Sequence, residues 1–148
     1  MEFDLKVKIL ANGIQLPSYA TAGSAGLDLR ACISNSVKLD VNDIVSIPTG
    51  IAIQIPTPHI AGFIFARSGL ASRHGINLVN GVGVIDSDYT GEIICVLQNV
   101  GKESYVINPG DRIAQIVFLP VALARLIEVD ELLPTERGQG GFGSTGIN

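Results

Sequence analysis

The last residues of the chain combine many glycines with a few chemically active side chains. Residues 137–146, Arg-Gly-Gln-Gly-Gly-Phe-Gly-Ser-Thr-Gly, contain five glycines, one arginine, one phenylalanine and two hydroxyl groups. Glycine offers no side chain to pack and loses much entropy on ordering, so this segment cannot form a core. Arginine, hydroxyls and free backbone N–H groups suit phosphate oxygens, and a phenylalanine ring suits the flat face of a base. We therefore expect a flexible flap that orders over a nucleotide; a disordered tail is the alternative.

Residues 80–91 form a second segment with candidate functional groups. They read Asn-Gly-Val-Gly-Val-Ile-Asp-Ser-Asp-Tyr-Thr-Gly. Two β-rich arms, residues 76–85 and 92–97, flank residues 86–91, which predicts a hairpin with its tip at residues 86–91. Asp86 and Asp88 either serve a site or only make turn hydrogen bonds, with Gly91 supplying a positive φ. Gly81 and Gly83 weaken a strand unless an object such as a base approaches the backbone closely.

Two further segments place arginines beside predicted turns. Arg67 and Ser68 join a predicted strand to a short helix over residues 68–74. Backbone N–H groups at a helix start can hold a phosphate; a turn capped by Ser68 beside an exposed arginine is the alternative. Arg112 and Gln115 follow a Pro-Gly turn, and they either join a site or are solvated polar positions.

Several common nucleotide and metal motifs are excluded. Gly138, Gly140 and Gly143 match G-x-G-x-x-G, but the dinucleotide fingerprint needs a preceding strand and a helix at the third glycine. The chain contains no G-x-x-x-x-G-K-[ST] phosphate loop. His59 and His74 have no Cys or His partners at metal-ligand spacing.

Composition narrows the class of protein. Hydrophobic residues make up 47% and charged residues 16% of the 148 residues, so part of the apolar excess is expected to line a subunit interface. A net charge of −4 without a Lys/Arg cluster argues against polymeric nucleic acid as a partner. Cys32 and Cys95 are too few for a disulfide framework, and Cys95 is expected to be a buried, inert thiol. No membrane span or signal peptide is recognised, which predicts a cytoplasmic protein.

Short strand-like runs dominate most of the chain. Phe3, Leu5, Val7 and Ile9 alternate with polar residues, the period-two pattern of a half-buried strand. Further β-rich runs are separated by Gly, Pro, Asn and Asp residues; they lie at 37–41, 51–55, 60–65, 76–79, 92–98, 105–107 and 112–118. This pattern predicts an all-β fold, an antiparallel sandwich or barrel with one short helix.

The C-terminal part of the chain is organised differently. Residues 122–133 are ambiguous, and their β-branched residues favour a strand. We expect one domain over residues 1–134 and the flexible, glycine-rich flap over residues 135–148.

Taken together, five segments resemble the motifs of the trimeric deoxyuridine triphosphatase (dUTPase) family in order and spacing. They are residues 25–31 (Ala-Gly-Leu-Asp-Leu-Arg-Ala), 67–70 (Arg-Ser-Gly-Leu), 80–91, 110–115 (Gly-Asp-Arg-Ile-Ala-Gln) and 137–146. The resemblance spans nearly the whole chain, and it implies a distorted jelly-roll or β-barrel fold of the kind called a β-clip. Ala66 departs from it, because the family often has proline before the arginine.

The resemblance implies hydrolysis of dUTP to dUMP and pyrophosphate with Mg²⁺, which keeps uracil out of DNA and supplies dUMP. Asp86 matches the general base that activates a water to attack the α-phosphorus. Asp28 matches a position that touches the water shell of Mg²⁺ and is not a direct ligand. Positions that match phosphate-contacting or flap residues of the family are Arg67, Ser68, Gly69, Gln115, Arg137, Gly143, Ser144 and Thr145.

Selectivity for the base and sugar is also implied by the resemblance. Asn80, with main-chain groups near Val84 and Ile85, matches the positions that contact the polar edge of uracil. Tyr89 matches the ring that stacks beneath the deoxyribose and leaves no space for a 2′-hydroxyl. Ile94 adds a main-chain contact, and Phe142 lies over the uracil when the flap closes.

The family resemblance further implies a homotrimer in which three subunits share each of three sites. Two other functions remain open from the residues. A dCTP deaminase of the same fold would need a proton shuttle, typically a glutamate, beside the pyrimidine. A non-catalytic nucleotide-sensing or partner-binding module would show loss of Asp86, Tyr89 or the tail, and all of these are present.

Overall fold

The computed structural model describes residues 2–141, which form ten strands and one short helix. This confirms the predicted all-β class. In chain order the elements are β1 (Lys6–Ile9), β2 (Leu27–Arg30), β3 (Val37–Leu39), β4 (Ile44–Gln54), β5 (Ile60–Ala66), α1 (Ser68–His74), β6 (Ile76–Leu78), β7 (Val82–Ile85), β8 (Glu92–Asn99), β9 (Tyr105–Ile107) and β10 (Arg112–Pro120).

The strands form two four-stranded antiparallel sheets and one two-stranded ribbon. The first sheet has the order β1-β4-β8-β6, and the second has the order β2-β10-β5-β7. Strands β3 and β9 pair with each other. The sheets remain open, so the arrangement is a jelly-roll-like sandwich and not a closed barrel.

Both sheets contribute to one hydrophobic core. Alternating residues of β8, including Ile93 and Leu97, are buried together with Ile47 of β4, Leu29 of β2 and Ile116 of β10. The alternation follows from the two-residue period of a strand, because successive side chains point to opposite faces.

Cys95 is one of the most deeply buried core residues, at 1% exposure. Burial raises the pKa of its thiol to about 12, because the thiolate would lose its hydration. The interpretation of Cys95 as a buried, inert thiol is therefore confirmed.

The single helix follows β5 directly and differs from the prediction at its first residue. It spans Ser68–His74 as predicted, but its N-cap is Arg67, in an extended conformation and without a side-chain capping bond. The predicted cap by Ser68 is therefore wrong, because Ser68 is already inside the first turn. The helix ends at Gly75, whose φ of 69° permits the left-handed C-cap.

Residues 122–133 are not a strand within this chain. They continue from β10 as an exposed segment, in which Leu126 is 91% and Leu133 is 90% exposed. A strand needs a partner edge for its backbone hydrogen bonds, and no described strand of the chain pairs with this segment. The one helix described in residues 2–141 is not long and apolar enough to cross a membrane.

Candidate functional site

The predicted hairpin is confirmed only for the first part of its first arm. Strand β6 pairs antiparallel with β8, with Leu78 opposite Leu97, but the rest of that arm, β7, lies in the other sheet. Strand β7 pairs with β5, whereas β8 pairs with β4 and β6. The chain leaves β6 through a tight turn in which Gly81 has φ 70° and the N–H of Val82 donates to the Asn80 carbonyl at 2.7 Å. Residues 86–91, the Asp86 loop, then connect the second sheet to the first.

The carboxylates of the Asp86 loop have no turn role in the described structure. The side chains of Asp86 and Asp88 accept no hydrogen bond from residues 2–141, and both residues are exposed. The loop is instead closed through its backbone, where the Tyr89 N–H donates to the Asp86 carbonyl at 3.2 Å. The alternative that these two aspartates only make turn hydrogen bonds is therefore not supported.

Tyr89 is fixed by one hydrogen bond and one glycine. Its hydroxyl donates to the main-chain oxygen of Glu92 at 2.8 Å. A Cβ at position 91 would lie 2.6 Å from this hydroxyl, so the ring requires glycine there. Gly91 is not among the residues with positive φ, so its role is steric and not the backbone role considered from the sequence.

The predicted base-contacting residues lie around the same loop. Asn80 is exposed in the turn before β7, Val84 is 57% exposed on β7, and Ile85 is half-buried at the end of that strand. Ile94 is exposed on β8. Gly83 is buried against β5, where a Cβ would lie 3.2 Å from the Ile64 Cβ, so this glycine permits close strand packing.

A second group of polar residues gathers at the opposite end of the second sheet. We call it the arginine cluster; it consists of Asp28, Arg67, Arg112 and Gln115. The Arg67 Nε donates to Asp28 Oδ1 at 3.0 Å, and the Arg112 Nη1 donates to Asp28 Oδ2 at 3.1 Å. Asp28 is only 15% exposed in its side chain, so the two guanidinium groups compensate a largely buried carboxylate.

Strand pairing explains why these residues meet. Strand β10 lies between β2 and β5, and Gln115 is opposite Asp28 on one side and Phe65 on the other. The Gln115 Nε2 donates to the Ala66 carbonyl at 3.3 Å, immediately before Arg67. A Cβ at Gly26 would lie 2.8 Å from Gln115 Oε1, so glycine at that position leaves room for the amide.

A cavity of about 200 Å³ adjoins the arginine cluster. It is lined by Arg67, Leu70, Tyr105, Ile107, Asp111, Arg112 and Ile113. Burial raises the pKa of the Tyr105 phenol and Asp111 raises it further, while Arg67 opposes the shift. The phenol therefore stays neutral at physiological pH and keeps its proton for donation.

Sequence reasoning did not assign Arg112 to the site. Its position in the Gly-Asp-Arg-Ile-Ala-Gln segment, which resembles a family motif, pointed to the site, but the sequence equally allowed a solvated surface position. The pairing with Asp28 depends on two strands that are distant in sequence and adjacent in the sheet.

One chain does not bring the Asp86 loop to the arginine cluster. In the β5–β7 pairing, Ile85 is opposite Gly62 and Val82 is opposite Phe65. Asp86 therefore continues towards Ala61, whereas Arg67 follows Ala66 at the other end of β5. Ala61 and Arg67 are six residues apart along an extended strand, so Asp86 and Arg67 are separated by about 20 Å.

The beginning of the tail makes local contacts. The Arg137 Nε donates to the Gly140 carbonyl at 2.9 Å, in a turn where Gly138 has φ 51°. Phe142, Gly143, Ser144 and Thr145 lie outside the described residues.

Comparison with known proteins gives a consistent result. The family model described as dUTPase matches residues 12–146. Relatives named deoxyuridine 5′-triphosphate nucleotidohydrolase include that of Desulfitobacterium hafniense, 53% identical over 134 residues, covering 90% of this chain and 89% of the relative. That of Methylobacillus flagellatus is 52% identical over 148 residues and covers 99% of both chains.

A solved structure of a mutant Staphylococcus bacteriophage 80alpha dUTPase with dUpNHpp has a TM-score of 0.88 to this chain. It is 27% identical and covers 97% of this chain and 99% of its own. The matching motifs, the fold and the close relatives agree: this chain belongs to the dUTPase family.

Proposed function

We propose that this chain hydrolyses dUTP to dUMP and pyrophosphate, with Asp86 as the general base. The observation that carries the proposal is the Asp86 carboxylate, exposed and without a hydrogen-bond donor among residues 2–141, on a loop shaped by Tyr89 and Gly91. A carboxylate in this state is free to accept a hydrogen bond from a water and to orient it. The names of relatives that are 52–53% identical support the same reaction.

The reaction step follows from this placement. Asp86 accepts a proton from the water while the water oxygen bonds to the α-phosphorus. The bond between that phosphorus and the bridging oxygen breaks, and pyrophosphate leaves. Positioning and charge neutralisation dominate phosphoryl transfer, so one base and several cationic contacts are sufficient.

The arginine cluster is the proposed phosphate-binding part. Arg67 supplies a guanidinium that Asp28 already orients, and Ser68 and Gly69 place the first amides of α1 beside it. The first amides of a helix have no acceptor within the helix. Gln115 adds an amide next to Arg67. Arg137, Gly143, Ser144 and Thr145 of the flap are proposed to close over the phosphates.

The Asp86 loop and its flanks are the proposed nucleoside-binding part. Asn80 and the main chain of Val84 and Ile85 would pair with the uracil edge, where cytosine presents an amine and leaves buried groups unpaired. Tyr89 would lie beneath the deoxyribose and exclude a 2′-hydroxyl. Ile94 and Phe142 are proposed to complete the contact with the base.

Mg²⁺ fits this site through water molecules. The described residues contain no group of three His, Cys, Asp or Glu side chains that could hold an ion directly. Asp28 accepts one guanidinium bond on each oxygen, and a carboxylate has further lone pairs for the waters of a hydrated ion. Mg²⁺ commonly retains waters and binds through substrate phosphates. When bound, it would neutralise triphosphate charge.

A homotrimer with shared sites is the proposed assembly. The separation of about 20 Å between Asp86 and Arg67 along β5 is too long for one reacting phosphate, so a site needs parts of different subunits. Exposed apolar side chains on the segment after β10 also call for a partner surface; they are Leu123, Leu126, Ile127, Val129, Leu132 and Leu133. The cytoplasmic location stays a prediction.

Pyrophosphate release from dUTP in magnesium buffer tests the proposed reaction. Asp86→Asn keeps the size of the side chain but removes the base, so kcat should fall by about 10²- to 10⁴-fold. Nucleotide binding should be largely kept, because the shape of the pocket survives.

Asp88→Asn is the matched control, since Asp88 is an exposed aspartate two residues away on the same loop. It should retain most of the activity. Equal turnover by wild type and Asp86→Asn would remove Asp86 from the mechanism. Ammonia released from dCTP, with dUTP left intact, would instead identify a deaminase.

A further inference from the structure

We propose that Glu92 is a positioning residue for sugar selectivity, because it fixes Tyr89 relative to the first sheet. This inference rests on the proposed function, in which Tyr89 excludes a 2′-hydroxyl. Glu92 begins β8, directly after the Asp86 loop. Its carboxylate and its main-chain carbonyl make separate contacts that link strand β4 to the Tyr89 ring.

The first contact lies at a break in the β4–β8 pairing. The register shifts between Pro48 and Ala52, so regular ladder bonds are interrupted there. The Glu92 Oε1 accepts the Gly50 N–H at 2.8 Å. Thr49 makes a second substitute bond, since its hydroxyl donates to the Ile93 carbonyl at 2.6 Å. Two side chains therefore hold the strands together where the backbone does not.

Gly50 is a rigid anchor for the Glu92 carboxylate. Its φ is 70°, and a Cβ there would lie 2.8 Å from the Cys32 Sγ and 2.9 Å from the Ile14 Cγ1. Its carbonyl accepts the Leu10 N–H at 2.8 Å. The peptide is buried and bonded on both sides, so it does not shift to follow a moving loop.

The second contact fixes the Tyr89 ring to the main chain of Glu92. The Glu92 carbonyl accepts the Tyr89 hydroxyl at 2.8 Å, and Gly91 provides the space beneath that hydroxyl. Tyr89 itself is 43% exposed, so little packing holds it otherwise. The ring position therefore depends on where Glu92 is held.

Sugar selectivity is sensitive to such positioning. A ring excludes a 2′-hydroxyl only if it cannot yield, since a shift of a fraction of an ångström would admit one oxygen atom. Glu92 is also opposite Ala52 in the β4–β8 pairing, so loss of its carboxylate leaves that pairing as the remaining link at the start of β8 and lets the Tyr89 ring move. Turnover of the deoxynucleotide needs the same Asp86 and phosphate contacts as before, so selectivity should change more than the basic reaction.

The test compares kcat/KM for dUTP and UTP in Glu92→Ala, Glu92→Gln and Thr49→Val. Glu92→Ala should lower the dUTP-to-UTP ratio by about tenfold or more. Glu92→Gln keeps an acceptor for the Gly50 N–H and should stay within about threefold of wild type. Thr49→Val removes the neighbouring bond of the same break and should lower thermal stability while leaving the ratio unchanged.

Tyr89 ring resonances, measured by NMR without nucleotide, provide a readout that does not depend on activity. They should shift in Glu92→Ala and stay near wild type in Thr49→Val. Unchanged selectivity and unchanged ring signals in Glu92→Ala would overturn the inference, as would an equal loss of selectivity in Thr49→Val. If wild type leaves dUTP intact, the proposed function is wrong, and the ring signals still decide the positioning role.

Discussion

Asp28 shows how one carboxylate can organise two cations. Its oxygens accept from Arg67 at 3.0 Å and from Arg112 at 3.1 Å. Exposed ion pairs contribute little to stability, but a pair that is largely buried is costly to break, because the remaining charges lose their compensation. The orientation of Arg67, at the start of α1, therefore depends on a residue of β2.

Asp28→Asn should lower kcat/KM for dUTP by about 10- to 100-fold, as for other residues that orient a ligand-binding group. The amide NH₂ would face guanidinium donors, so at least one arginine would turn away. Steady-state kinetics at fixed Mg²⁺ measure the effect.

Asp40→Asn is the control for loss of one negative charge. Asp40 is exposed and pairs with Lys38 at 2.6 Å, and bonds from Lys38 and then Ser104 lower the pKa of its carboxyl. This variant should leave kinetics unchanged. Wild-type kinetics in Asp28→Asn would show that the two ion pairs do not position Arg67.

Strand β4 depends on a glycine at its irregular point. Gly50 combines a positive φ with contacts to Cys32 and Ile14, whereas Gly13 has φ 79° and a Cβ added there would meet no atom within 4 Å. Comparing alanine substitutions at the two glycines therefore distinguishes the energetic cost of backbone strain from the cost of steric overlap.

Gly50→Ala should destabilise the protein by about 2–5 kcal/mol, from a left-handed conformation together with overpacking. Gly13→Ala should cost only about 1–2 kcal/mol, since strain acts alone. Urea unfolding curves measure both losses of stability, from the shift of each midpoint when the slope (m-value) is unchanged. Equal destabilisation by the two substitutions would show that the contacts around Gly50 relax without cost.

The link from β7 to β8 shows why a local pattern can mislead. Two β-rich arms around a polar turn normally predict a hairpin. Here only the first part of the first arm, β6, pairs with the second arm, β8. The rest of the first arm, β7, pairs with β5, and the loop after it passes from one sheet to the other. Alternation identifies a strand, but it carries no information about which edge that strand joins.

The distance between the two parts of the proposed site indicates how subunits must assemble to form it. The Asp86 loop and the arginine cluster lie at opposite ends of β5, about 20 Å apart. In the proposed trimer, the loop of one subunit faces the cluster of another, and the apolar segment after β10 contacts a neighbour. A single chain would then be inactive.

Mixing two inactive variants tests this arrangement. Asp86→Asn and Arg67→Ala damage different parts of the site, so each homotrimer should be inactive. After unfolding and refolding together in equal amounts, about a quarter of the sites should combine intact parts from different subunits and recover activity. Each variant refolded alone is the control. A mixture that stays inactive would place Asp86 and Arg67 of one chain in the same site.

Local patterns in the sequence were enough for the all-β class, the span of the helix and the buried Cys95, and they pointed to the segments that carry the candidate site residues. These features depend on residue type and short-range periodicity, which are visible without the fold. The motif resemblance added the family, because five segments in a fixed order are specific.

Other features emerged only when distant strands came together. Arg112 and Arg67 meet on Asp28 because β10 lies between β2 and β5. Glu92 meets Gly50 because a register shift leaves an N–H without a ladder partner. Strand pairing and register are set by the packing of the complete core, so no local segment contains the information that specifies them.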